Sequence, residues 1–101
     1  MFVVTNRLYI APNWAGRFED KFQQRIGKID QQDGFVRMQV LKPVKPDDPY
    51  LVMTTWRDQS AFKGWVGSED FREAHKNPLP KNAYSQEGRM EQHEVIIQTQ
   101  H

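Results

Sequence analysis

The chain has 101 residues, 38% of them hydrophobic and 27% charged, with a formal net charge of +1. A length of this order holds one core, so a single domain spanning 1–101 is expected, and the apolar content excludes a disordered chain. Lys and Arg are scattered and nearly matched by Asp and Glu, which gives no surface for nucleic acid. No apolar run is long enough to cross a bilayer, and the first residues lack the pattern of a signal peptide, so no membrane partner is expected. Without cysteine there is no disulfide framework, thiolate metal site or cysteine nucleophile, and the cytoplasm is the expected compartment.

Residues 2 to 10 alternate as a strand, with Phe2, Val4, Leu8 and Ile10 on one face. Asn6 falls among them. A buried amide must find hydrogen bonds, so two readings stand open: Asn6 pairs with nearby backbone, or its NH₂ points into a ligand pocket. After a turn at Ala11-Pro12-Asn13, an apolar stripe of Trp14, Phe18, Phe22, Ile26 and Ile29 predicts a helix running to about Ile29. Most of those side chains read as core. Phe22 and Arg25 sit near the edge of the stripe, where they border a cavity if one exists.

Gln31-Gln32-Asp33-Gly34 predicts a turn, and Phe35 to Leu41 a second strand with Val36, Met38 and Val40 on one face. The Pro-rich stretch from Lys42 to Pro49 cannot pair inside a sheet and joins this strand to a third, Tyr50 to Trp56. A helical segment follows, interrupted near Gly67. Asp58 is placed to cap its first part and Ser68 its second, where Glu69 and Asp70 suit the helix dipole; Asn77-Pro78 ends it. Pro78 to Gly88 reads as a polar, mobile surface loop, and Arg89 to Thr99 as a last strand centred on Val95, Ile96 and Ile97.

The order strand-helix-strand-strand-helix-strand predicts an α+β, ferredoxin-like βαββαβ fold, an antiparallel sheet with two helices on one face. The opposite face, carrying Val3 and Tyr9, needs cover, and a second copy packed sheet to sheet would make a homodimer. Within the interrupted helix, His75 shares a face with Phe71 and Ala74, and Trp65 follows Phe62. An imidazole on an apolar face needs a hydrogen-bond partner or a metal. His93 and His101 read as surface residues. A possible ligand beside a wide indole suits something flat that carries a metal.

Asn6, the motif Thr-x-Trp-x-x-x-x-Ala-Phe-x-x-Trp from Thr54 to Trp65, and Ala-His-Lys around His75 resemble the IsdG-type haem-degrading monooxygenases. These belong to the antibiotic biosynthesis monooxygenase (ABM) superfamily of dimeric α+β barrels. The resemblance covers nearly the whole chain, although Pro78 to Gly88 does not match the family pattern clearly. It implies that haem is both substrate and cofactor, opened to a linear tetrapyrrole with release of iron. O₂ and an external electron donor, such as a reductase, would be required. It implies His75 as the iron ligand, Asn6 as a donor that biases where oxygen attacks, and Trp65 as the side chain that holds the macrocycle out of plane. Phe22 and Arg25 match positions near the haem, and Phe71 lies on the His75 face. Two other functions remain open at this point: a cofactorless ABM-type monooxygenase acting on a quinol or polyketide-like substrate, and a haem-binding protein without turnover.

Overall fold

The computed structural model describes residues 1–24 and 26–101. Four strands, β1 (Phe2–Leu8), β2 (Phe35–Leu41), β3 (Tyr50–Trp56) and β4 (Arg89–Glu94), pair antiparallel in the order β2-β3-β1-β4. Helix α1 (Ala15–Gln23) links β1 to β2, while α2 (Gln59–Val66) and α3 (Glu69–His75) link β3 to β4. This is the expected ferredoxin-like order. The β2–β3 hairpin returns β3 to the centre of the sheet, so β1 and β3 form the paired middle on which the helices rest.

Strand alternation explains where the core lies. Phe2, Val4, Asn6 and Leu8 face the helices, with Trp56, Thr54, Val52 and Tyr50 opposite them on β3. Two clusters form on this face: Phe2, Val4, Ile29, Trp56, Ala61 and Trp65 in one, Phe18, Phe22, Tyr50 and Val52 in the other. Taking a side chain such as Phe18 fully out of water stabilises the fold by roughly 1.5–3 kcal/mol. Gly34 is required where β2 meets α2: its φ is 79°, and a Cβ there would lie 2.4 Å from that of Ala61. Its carbonyl accepts from the Arg57 N–H at 2.7 Å, locking the two together.

Four local expectations are corrected. The first helix stops at Gln23 instead of Ile29, because Gly27 takes a left-handed conformation (φ 94°) and its N–H is captured by the Asp30 carboxylate at 2.7 Å. Ile26 is consequently 63% exposed, while Ile29 still reaches the core from a short 3₁₀ turn. In β2, a bulge between Phe35 and Arg37 turns Phe35 inward with Met38 and leaves Val36 at the surface. The last strand ends at Glu94, whose partner is Phe2 at the start of β1; the Val95 N–H still donates to the Met1 carbonyl at 2.9 Å, but the Val95, Ile96 and Ile97 side chains are exposed. The 78–88 segment is tied down: Ala83 is buried, its carbonyl accepts from Ala11, Ser85 donates to the Tyr9 carbonyl, and Ile10 bridges Tyr84.

The break in the second helical segment falls where it was expected. The Asp58 side chain accepts from the Ala61 N–H at 2.9 Å, and this bond holds the Asp58 carboxyl below its usual range. The Ser68 hydroxyl accepts from the Phe71 N–H at 3.1 Å. No helix among the described residues is long and apolar enough to cross a membrane.

Candidate active site

A cavity of about 360 Å³ opens between the sheet and the α2–α3 segment. Phe62, Trp65 and Phe71 supply aromatic walls, Met38 and Thr54 part of the floor, and Asn6 and His75 the polar groups at its edge. A second opening of about 220 Å³ adjoins it towards α1, lined by Phe18, Lys21, Phe22 and Leu79, and again by Asn6 and His75. Asn6 and His75 therefore stand where the two spaces meet. Such a concavity, mostly apolar with a few convergent polar groups, is the usual form of a small-molecule site.

Each side chain is there for a local reason. Asn6 is on the inward face of β1, opposite Val52 on one side and Met90 on the other. Neither neighbour offers its amide a side-chain hydrogen bond, and Asn6 lines both spaces. The pocket-facing reading of Asn6 fits this placement. Trp65 lies one residue before the end of α2, 4% exposed, so it is both core and cavity wall. Phe71 meets it edge-on, with ring centroids 5.4 Å apart and planes at 85°.

His75 ends α3 and is exposed. Its ring stacks on Phe71 at 4.0 Å, and Nδ1 lies 2.8 Å from the Phe71 carbonyl oxygen. A carbonyl only accepts, so in this hydrogen bond Nδ1 carries the proton, and in the neutral ring that tautomer puts the lone pair on Nε2. This is the orienting acceptor that a metal-binding imidazole requires, supplied by the backbone one turn earlier. Among the described residues no group of three or more His, Cys, Asp or Glu side chains gathers to hold a bare metal ion. One imidazole beside an apolar slot suits a metal that brings its other ligands with it.

The structure thus brings Asn6, Trp65, Phe71 and His75 around one cavity and sets Phe22 in the adjoining one; Arg25 lies outside the described residues. Sequence reasoning passed over Lys21 and Leu79. Lys21 donates to the Asn77 carbonyl, pinning α1 to the end of α3, and Leu79 and Tyr84 line the smaller space. The available signal was two apolar side chains inside an otherwise polar loop.

A pronounced electrostatic perturbation lies away from this cavity. Tyr50 is pushed up to about 12 by burial, then by its hydrogen bond to Glu19 and by that carboxylate's charge. Glu19 is held below the usual carboxylate range by hydrogen bonds from Tyr50 and Lys42. These groups anchor α1 to β3 and to Lys42, just past the end of β2.

The model of the antibiotic biosynthesis monooxygenase family matches residues 1–77, a span that includes Asn6, Trp65 and His75. Two staphylobilin-producing haem oxygenases are each 36% identical to the chain. That of Staphylococcus saprophyticus aligns over 75% of this chain and 74% of its own, and that of Staphylococcus haemolyticus over 76% and 75%. Among solved structures, the haem degrader MhuD of Mycobacterium tuberculosis, with two haems in its active site, covers 99% of this chain and 100% of its own. It superimposes with a TM-score of 0.79 at 23% identity, a likeness of fold alone. The chain therefore belongs to the antibiotic biosynthesis monooxygenase family, in its IsdG-type, haem oxygenase branch of enzymes.

Proposed function

We propose that this chain takes haem as its substrate and degrades it, opening the ring to a linear tetrapyrrole and releasing iron. O₂ and electrons from an external reductase are the co-substrates. The observation that carries this reading is the His75 imidazole, oriented by the Phe71 carbonyl at 2.8 Å, across a cavity from Asn6 and beside the Trp65 and Phe71 rings. The fit is chemical: a planar apolar ligand needs aromatic walls, haem iron needs one axial nitrogen, and both are present. The Staphylococcus relatives carry the activity in their names, which supports the same assignment for this chain.

Bound haem supplies the iron centre at which O₂ is activated and the ring that is oxidised. The chain's own residues do the rest. His75 would hold the iron through Nε2, with Nδ1–H fixed on the Phe71 carbonyl. Asn6 donates from the sheet side without titrating, so its hydrogen bond persists across pH. Trp65, fixed in the core, would give a bound ring a rigid indole wall to lie against, and the shape a protein imposes on haem is a recognised lever on its reactivity. Phe22 closes the slot towards α1, and Arg25 belongs to the haem environment on the strength of the resemblance alone. Residues 1–101 act as one domain in a cytoplasmic homodimer. The open sheet face, carrying Val3, Leu51 and Met53, together with exposed Ile96 and Ile97, is the surface a second copy would cover.

Titration with ferric haemin should produce a Soret band in the wild type and none of that form in His75→Ala. Asn6→Ala should retain the band but slow ring opening about 10- to 100-fold once ascorbate and air are supplied. Mass spectrometry of the pigment identifies the product. A His75→Ala protein that binds and degrades haemin normally overturns the role of that imidazole as the iron ligand. A wild-type spectrum that persists under reductant and air reduces the protein to a haem carrier, and absence of any Soret band favours the cofactorless reading.

A further inference from the structure

We infer that Ser68 is a positioning residue that fixes the indole wall and the imidazole ligand as one unit; the inference rests on the haem reading above. The two groups sit on different helices. Trp65 is anchored in the core with Phe2, Val4 and Trp56. His75 rides at the end of α3, which has seven residues and no buried side chain. A helix that short does not hold itself together in water and takes its direction from what grips it.

Phe71 and Ala74 pack on the core and Lys21 holds the Asn77 carbonyl past the end of α3, while the direction in which α3 leaves Trp65 is set at the junction. The Ser68 hydroxyl donates to the Trp65 carbonyl at 2.7 Å and accepts from the Phe71 N–H at 3.1 Å. The Ser68 N–H also donates to the Trp65 carbonyl, at 3.0 Å. Phe71 completes the connection: its ring meets Trp65 on one side and stacks on His75 on the other, and its carbonyl fixes the His75 tautomer. One hydroxyl thus sets where Phe71 begins relative to Trp65, and Phe71 sets where His75 stands. Another tie, from the Gln32 amide to the Asp70 carboxylate at 3.2 Å, holds the first turn of α3 without touching either group.

The dual use of the hydroxyl separates this role from ordinary helix capping. Aspartate is as good an N-cap as serine, accepting from the same N–H, but its carboxylate cannot donate to the Trp65 carbonyl. Threonine can do both. The experiment compares Ser68→Ala, Ser68→Asp and Ser68→Thr by haemin affinity, by the position of the Soret band at saturating haemin, and by near-ultraviolet circular dichroism of the haem-free protein. The coupling predicts that Ala and Asp both weaken haemin binding, by about tenfold, and shift the Soret and near-ultraviolet spectra, while Thr behaves as wild type. If Ser68→Asp matches wild type in all three measurements, Ser68 is a helix cap and nothing more, and the inference falls. Should Ser68→Ala fail to fold, the comparison of Asp with Thr decides it. A wild type that binds no haemin defeats the haem reading, whereas wild-type binding with unchanged Ala and Asp spectra defeats only this inference.

Discussion

Trp56 and Trp65 lie nine residues apart in the chain and are almost equally buried, at 0% and 4% exposure. Their surroundings differ in kind. Trp56 is boxed by Phe35 at 5.5 Å and Phe62 at 6.0 Å, and its indole N–H donates to the Thr54 hydroxyl at 2.9 Å. Every part of it is used by the fold, and it borders neither the 360 Å³ nor the 220 Å³ space. Trp65 packs on the same core from the helix side, yet one part of its ring faces a cavity and its aromatic neighbours lead outward through Phe71 to an exposed histidine. Burial does not tell a structural tryptophan from a site tryptophan. What does is whether the side chain's surface and polar tip are fully satisfied by the protein.

The contrast can be broken by substitution. Trp56→Ala removes the largest fully buried side chain and should cost about 3–5 kcal/mol, read from the midpoint of denaturant unfolding. Trp65→Phe keeps an aromatic wall; it should lose clearly less stability than Trp56→Ala while altering the Soret band of the haemin complex. If the two substitutions had the opposite pattern, with Trp56 governing the spectrum, the division of labour would be wrong.

A smaller change sharpens the same point. Thr54→Val preserves shape and removes the acceptor for Trp56, leaving a buried N–H without a partner, at a cost of about 1–3 kcal/mol in unfolding free energy. Tyr50 offers a third buried aromatic with a satisfied tip, and its effect depends on pH. Its folded pKa of about 12 lies above the ordinary value of 10.0, so the unfolded chain ionises first as pH rises. Stability is therefore fully present below pH 10 and lost progressively between 10 and 12. Tyr50→Phe should flatten that alkaline decline in urea midpoints measured across the range.

Much of this molecule is legible without coordinates, and the reasons are local. Period-two runs mark the strands; Asp58, Ser68 and Asn77-Pro78 bracket the helices because capping and proline chemistry act within a few residues. The Trp65 to His75 spacing, with Phe71 between, already places aromatic and imidazole on one segment. The failures have equally physical causes. Ile26 and Ile29 continue the helical period, but Gly27 and Asp30 offer the backbone a turn instead. Val95 to Ile97 have strand-forming side chains, but a strand needs a neighbour, and the pairing with the β1 edge fades at the bond from the Val95 N–H to the Met1 carbonyl.

By itself the sequence determined the element order, the helix boundaries at Asp58 and Ser68, and the family to which the chain belongs. Only the tertiary structure decided that Asn6 and His75, 69 residues apart in the chain, line the same cavity. It also decided that the 78–88 segment is bound to Tyr9 and Ala11, and that the acceptor orienting His75 is the Phe71 carbonyl. Caps and periods are properties of neighbours along the chain; a cavity is a property of surfaces that fail to meet, and it exists only once sheet and helices have packed.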